Sequence, residues 1–413
     1  MARLLDNLAV AVVAALMWLL YKRCFQAAPK KDKVSASGDK ESDQTGPYRF
    51  PPFESLPNYD LKHLEATKPL PYRPFRWGPT YPQHMAIRNI TEPETWLQLD
   101  NAYSSILKVR TERTLDLSLQ STATQPTFHA HALEALCEIA SFLSTRFPQL
   151  FRVARATYDP RHPATHGDSI VGPEGGAVVA VENLVTGERF DFAEIEAKEG
   201  PEWNPMRVAG LLLQDDLAVM VEDEQGHYRL RAGSICTAGF WRLQDKVGLT
   251  LDDIHFKGSV PNYAEKYQKS MNRFFSNLRE DKLVERNNYF FQVDDGLSWS
   301  TQTNGTEKIF DQYNKCAQLG TFEKTDGAVK PTPATQTYLI PVVDLADEPG
   351  VPGRMASGIR SWPQGERSVD WYKGSELFNP VLLPYLDQKH EEQVRGGVVQ
   401  LNDKGTTDEQ YPL

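Results

Sequence analysis

LLLQDDLAVMVEDEQGHYRLRAGSICTAG, residues 211–239, sets two apolar, β-branched runs on either side of the acidic turn EDEQG. The runs have strand length and the turn carries the Asp and Gly that a tight reversal needs, so the segment predicts a β-hairpin. Upstream, GAVVAVEN and GERFDFAE repeat the arrangement across a second short, glycine-containing turn. Two hairpins in succession predict an antiparallel sheet.

Helical periodicity flanks that sheet. HAHALEALCEIASFLSTRF, residues 129–147, repeats apolar side chains at Leu133, Leu136, Cys137, Ala140, Leu143 and Phe147 and stops before Pro148, the mark of an amphipathic helix. After Pro261, Asn262 and Glu265 resemble a capping box, and Tyr263, Tyr267, Met271, Phe274, Phe275 and Leu278 form one apolar stripe. Helix, hairpins, helix is the order of an α+β fold with helices against a mostly antiparallel sheet. No repeat of 20–50 residues interrupts it.

The 413 residues carry a net charge of −10, which repels a polyanion on average, and no basic stripe offsets it. Nucleic acid is therefore excluded as the main partner. The four cysteines, Cys24, Cys137, Cys236 and Cys316, have neither zinc-site nor disulfide-scaffold spacing.

The N-terminus departs from this soluble texture. Leu8–Tyr21, LAVAVVAALMWLLY, is uncharged and apolar, and it reaches a spanning length only by recruiting residues from Leu4 onward. Signal peptide, signal anchor and amphipathic surface helix compete. Lys22, Arg23, Lys30, Lys31 and Lys33 follow the run, and this positive C-terminal flank favours a single-pass anchor over residues 1–25 that leaves the body in the cytosol, most simply at the endoplasmic reticulum. Residues 26–46 are polar and read as a disordered linker. Residues 47–84 interleave prolines with aromatic rings, as an extended arm packed on the domain would. The body is expected over 85–315. From Cys316 to Leu413 the periodicity is lost, and the tail is expected to be partly disordered, residues 396–413 in particular.

Few constellations could carry chemistry. His129 and His131 are two apart and do not share a helix face, while His162 and His166 lie in a proline-containing loop. No H-E-x-x-H, G-x-S-x-G or Walker motif occurs. There remains FWRLQDKVGLTLDDIHFKGSVPNY, residues 240–263, which places His255 in a short stretch, expected to be extended, ahead of the second helix. On its own, a histidine between Ile254 and Phe256 is either a core imidazole or a ligand whose other nitrogen is oriented by Asp252 or Asp253. Arg242 and Lys246 suit ligand carboxylates or surface ion pairs equally.

At these residues the chain resembles the haem-dependent oxidative N-demethylase-like family. The resemblance lies in PLPYRPFRWGP, ETWLQLDNAY, LLLQDDLAVM, FWRLQDKVGLTLDDIHFKGSVPNYAEKYQKSMNRFF and RNNYFF, spanning roughly residues 68–315. It implies a helix-grip fold, in which a curved antiparallel sheet wraps a long helix, and a haem b in the resulting cavity with His255 as proximal iron ligand. On the same footing Arg242 and Lys246 become the expected anchors for the haem propionates. The implied activity is oxidative removal of a methyl group from a small secondary amine, with electrons from an NADPH-dependent flavin or iron–sulfur reductase. The family's continuation, R-x-E-R-Q-T-L-x-R-L-P, has no counterpart between Cys316 and Leu413. The alternative is accordingly a catalytically inactive haem- or ligand-binding protein of the same fold.

Overall fold

The structure, a computed structural model, describes residues 49–69, 73, 75–79, 87–117, 120–157, 169–170, 175–198, 200–238, 241–279, 283–286, 289, 291, 320–322, 334–335, 340–365 and 367–407. The apolar run 4–21, the linker 26–46, and His162 and His166 lie outside them. Among the described residues no helix is long and apolar enough to cross a membrane.

The strands are β1 (Ile87–Asn89), β2 (Thr122–Thr124), β3 (Phe151–Arg155), β4 (Val178–Asn183), β5 (Glu188–Asp191), β6 (Asp216–Glu222), β7 (Tyr228–Ser234), β8 (Val284–Arg286), β9 (Gly320–Phe322) and β10 (Ala334–Thr335). The helices are α1 (Leu61–Ala66), α2 (Tyr103–Leu115), α3 (His129–Arg146), α4 (Phe192–Ala197), α5 (Pro205–Leu212), α6 (Leu251–Lys257), α7 (Gln268–Asn277), α8 (Val342–Asp347), α9 (Val351–Arg360), α10 (Val369–Tyr372) and α11 (Asn379–Arg395). The fold is α+β with antiparallel pairing throughout.

The hairpin in 211–239 is β6–β7, with Leu217 opposite Ser234 and Glu222 opposite Tyr228. Asp223 makes the turn, its Oδ1 accepting from the amides of Gln225 and His227 at 3.0 and 2.8 Å, and Gly226 supplies the left-handed φ of 82°. The two hairpins do not share one sheet. β4–β5 extends β3, whereas β6–β7 sits between β10 and β2, and β1, β8 and β9 form a third sheet. The cause lies in the intervening chain. Asp191 ends β5 by capping α4 through Ala193 N, and Asn204 with Pro205 starts α5. GERFDFAE is thus half strand and half helix.

The β6 strand is buried on both faces, which is why its sequence reads as a nearly continuous apolar run. Leu217 and Val219 join α3 and α5 in the main core, where Leu133, Leu136, Phe142 and Leu143 of α3 are buried and each stabilises the fold by about 1.5–3 kcal/mol. Met220 belongs to a second cluster with Leu230 of β7, Trp241, Leu243, Leu251, Tyr263, Met271 and Phe275. The predicted apolar stripe is therefore real, yet its start differs. Asn262 takes a left-handed φ of 57° with no side-chain cap, and a π-turn over Tyr263–Tyr267 leads into α7.

The aromatic arm packs in two halves. Phe53 stacks on Phe142 of α3 at 4.7 Å, but Phe75 meets Tyr289 at 5.0 Å, Trp77 meets His390 of α11 at 5.7 Å, and Arg73 pairs with Glu348. The second half thus rests on the C-terminal helices. The periodicity that seemed lost after Cys316 is present there, because α9 and α11 enclose a third core of Leu345, Met355, Ile359, Trp362, Phe378 and Leu386. Its pattern is disguised by small residues that close packing requires. A Cβ on Gly353 would lie 2.5 Å from His390 Nδ1. Residues 396–407, expected to be disordered, bury Val399 and form a turn in which Asn402 Oδ1 accepts from Lys404 and Thr406 amides.

Candidate functional site

His255 lies on a helix, not in an extended stretch. Thr250 caps α6 by accepting from Asp253 N through Oγ1 at 3.0 Å, and Asp252 and Asp253 in the first turn with His255 and Lys257 in the last complement the helix dipole. Seven residues are too few for periodicity to reveal. The helix is tied to β7 by amide bonds from Leu230 to Leu249 O and from Gly248 to Leu230 O, at 3.1 and 2.7 Å.

One imidazole nitrogen is committed by this short helix. Nδ1 lies 2.7 Å from the Leu251 carbonyl one turn back, and a carbonyl oxygen only accepts, so Nδ1 carries the proton. Nε2 is the lone-pair nitrogen and has no hydrogen-bond partner among the described residues. Burial pushes the imidazole down to about 4, and the positive charges of Arg286 and Lys246 add to that, while the Leu251 bond and Asp252 oppose it. The ring is neutral near pH 7, the form a metal requires.

The ring is held in plane by Tyr263, parallel to it at 4.7 Å between centroids and 9° between planes. Tyr263 donates to Asp252 Oδ1 at 2.7 Å, and Asp252 also accepts from Gln268 Nε2 and Asn272 Nδ2. Burial would raise the Asp252 carboxyl, but these three donors outweigh it and hold it below its usual range. The same carboxylate, with burial, pushes Tyr263 upward. Asp252 therefore reaches His255 through Tyr263, not through a ring nitrogen, and Asp253 instead accepts from the hydroxyl of the capping Thr250 at 2.7 Å.

The structure separates the two predicted anchors. Arg242 forms a two-point pair with Asp245, Nε to Oδ2 at 2.8 Å and Nη2 to Oδ1 at 3.1 Å. Lys246, next in sequence, is only 6 % exposed, its ammonium 5.7 Å from the centre of the Trp241 ring. His129 and His131 open α3 as expected, and among the described residues no group of three or more His, Cys, Asp and Glu could hold a metal ion.

Other signature residues prove to be scaffold. Arg110 on α2 is fully buried, donating to Gly210 O, Asp216 Oδ1 and Ser234 Oγ, while Asp216 also accepts from the amides of Cys236 and Thr237. Gln214 bonds Asp100. Sequence reasoning missed this network, although three polar residues inside an apolar run were the available signal.

A family model described as haem-dependent oxidative N-demethylase, alpha subunit-like, matches residues 86–325, more than half of the 413-residue chain. No curated protein matches it.

Proposed function

The chain belongs to the haem-dependent oxidative N-demethylase alpha-subunit-like family, and from that premise we propose that it is a monooxygenase that removes a methyl group from a small secondary amine. One observation carries the reading: a neutral imidazole on α6 whose Nδ1–H is spent on the Leu251 carbonyl while Nε2 stays available. Proximal histidines are prepared in this way, since the backbone acceptor fixes the tautomer and raises the basicity of the coordinating nitrogen. An imidazole in this state is a donor that would suit the iron of a haem b.

Bound there, the haem would supply the dioxygen and electron chemistry, with electrons from NADPH through a flavin or iron–sulfur reductase. The residues of the chain do the rest. His255 Nε2 would hold the iron, Tyr263 keeps the imidazole from turning, and the Leu251 carbonyl occupies the Nδ1 side. We place the haem in a helix-grip cavity, and an anchor in residues 4–21, with the domain facing the cytosol at the endoplasmic reticulum, would keep the protein beside a membrane-bound reductase.

The overall reaction balances as R–NH–CH3 + O2 + NADPH + H+ giving R–NH2 + HCHO + NADP+ + H2O. The test is to supply the haem-loaded full chain with a reductase, NADPH and a panel of N-methyl amines. Formaldehyde formed in proportion to amine-dependent NADPH use is expected. NADPH use that no amine stimulates, without formaldehyde, would refute the assignment.

A further inference from the structure

Three side chains converge on the carboxylate of Asp252, and one of them is the ring that lies against His255. Asp252 precedes His255 by three residues on α6, the spacing that puts two side chains on one helix face. Its Oδ1 accepts from the Tyr263 hydroxyl at 2.7 Å, its Oδ2 from Gln268 Nε2 at 2.8 Å, and both oxygens lie 3.2 Å from Asn272 Nδ2. These are neutral donors, so the hub keeps its negative charge. The Tyr263 hydroxyl has one other neighbour in range, the Met271 sulfur at 3.8 Å, which is a weak acceptor. Its single proton therefore goes to the carboxylate. The ring is fixed on two sides, stacked on His255 at 4.7 Å and 9° and met edge to face by Phe256 at 5.1 Å and 88°.

We infer that Asp252, acting through Tyr263, is a positioning residue that enriches the His255 imidazole in electron density and so biases the iron of a bound haem toward its ferric state. The assignment rests on the haem reading above and extends it to the reduction step, about which that reading says only that electrons arrive. The physical reason is charge. A phenol hydrogen-bonded to a carboxylate turns a more electron-rich face to the imidazole stacked on it, and an anion three residues from the ligand favours the more positive oxidation state. Hydrogen bonding and charge around an axial ligand are the levers by which a protein tunes haem iron. A hub that merely tied α6 to α7 would need its hydrogen bonds but not its charge.

The experiment is a spectroelectrochemical titration of the haem-loaded full chain, read as the midpoint potential with the absorption spectrum at each end. Asp252→Asn keeps the shape and an oxygen for Tyr263 but loses the charge. Its midpoint should rise by about 59 mV, a tenfold shift of the one-electron equilibrium toward ferrous iron, with the histidine-type spectrum unchanged. Tyr263→Phe keeps the stack without the hydroxyl and should move the same way by less, while Asp252→Glu should stay nearer to wild type than Asp252→Asn. Gln268→Ala removes a donor that partly offsets the carboxylate, so its midpoint should fall or hold although the same helix contact is loosened. That difference of sign separates charge from tethering. An unchanged midpoint in Asp252→Asn or in Tyr263→Phe, or an equal rise in Gln268→Ala, overturns this inference and leaves the haem reading standing. A wild-type chain without a histidine-type haem spectrum overturns that reading and this inference with it.

Discussion

Tyr263 lies flat against His255, 4.7 Å away, and its hydroxyl is anchored on Asp252. The plane of the imidazole is thus set from the opposite end of a β7-tethered helix and the π-turn that follows it. Tyr263→Leu removes the stacked ring and should cost about 1 kcal/mol of stability and weaken haem binding. Tyr263→Phe keeps the ring and leaves Asp252 its amide donors, so its haem affinity should stay near wild type. Denaturant unfolding and haemin titration of the two variants measure both effects.

The pH dependence of haem binding should be unlike that of an ordinary histidine. Because burial pushes His255 down to about 4, the ligating neutral form persists well below an unfolded-state value near 6.5. Haemin affinity should be flat from pH 8 to about 5 and fall as pH approaches 4. For the apo protein, the folded state binds fewer protons than the unfolded one between these two values. This group's contribution to stability is lost as pH falls from about 6.5 through about 4 and then levels off.

Asp215 carries the opposite sign. It is 2 % exposed, its Oδ1 has no partner, and burial pushes it up to about 7, with Arg110 opposing and Asp216 and Asp100 assisting. The folded state binds the extra proton, so stability is lost as pH rises from about 4 through about 7. Asp215→Asn should match wild type at pH 4 and exceed it at pH 8, by on the order of 2–4 kcal/mol for a shift of this size. Urea unfolding at the two pH values checks it.

The C-terminal helices should be indispensable to folding. Phe75, Tyr289 and Phe291 pack with Trp362 and Phe378, so truncation after residue 339 uncovers rings from the arm and from RNNYFF, each worth about 1.5–3 kcal/mol of burial. The truncated chain should be insoluble or show a lowered, broadened melting transition. Lys373, pushed down to about 7 by burial and by Arg286, adds a finer test. Its folded state sheds a proton that the unfolded chain keeps, so stability should rise with pH from about 7 to 10, and Lys373→Met should flatten that slope.

What was legible in the sequence follows from physical period. The β6–β7 hairpin and the apolar stripe of α7 span enough residues for their alternation or 3.6-residue repeat to stand out. The helix bearing His255 has seven residues, and its only local sign is Thr250 before two aspartates. The C-terminal core was hidden for another reason. Gly353 and Gly358 read as loop residues, yet they sit where α9 meets His390 and the arm backbone at Arg76. Lys246 and Arg242 look equivalent four residues apart, and only the side on which Asp245 closes tells them apart.

The central claim is that His255 Nε2 holds a haem iron, and absorption spectroscopy of the full chain with haemin tests it most directly. Wild type should give a Soret band with the position and ligand-field bands of a histidine-ligated haem. His255→Gly should lose that signature and regain it when free imidazole is added. A wild-type spectrum identical to free haemin, or a histidine-type spectrum that survives in His255→Gly without imidazole, would contradict the account.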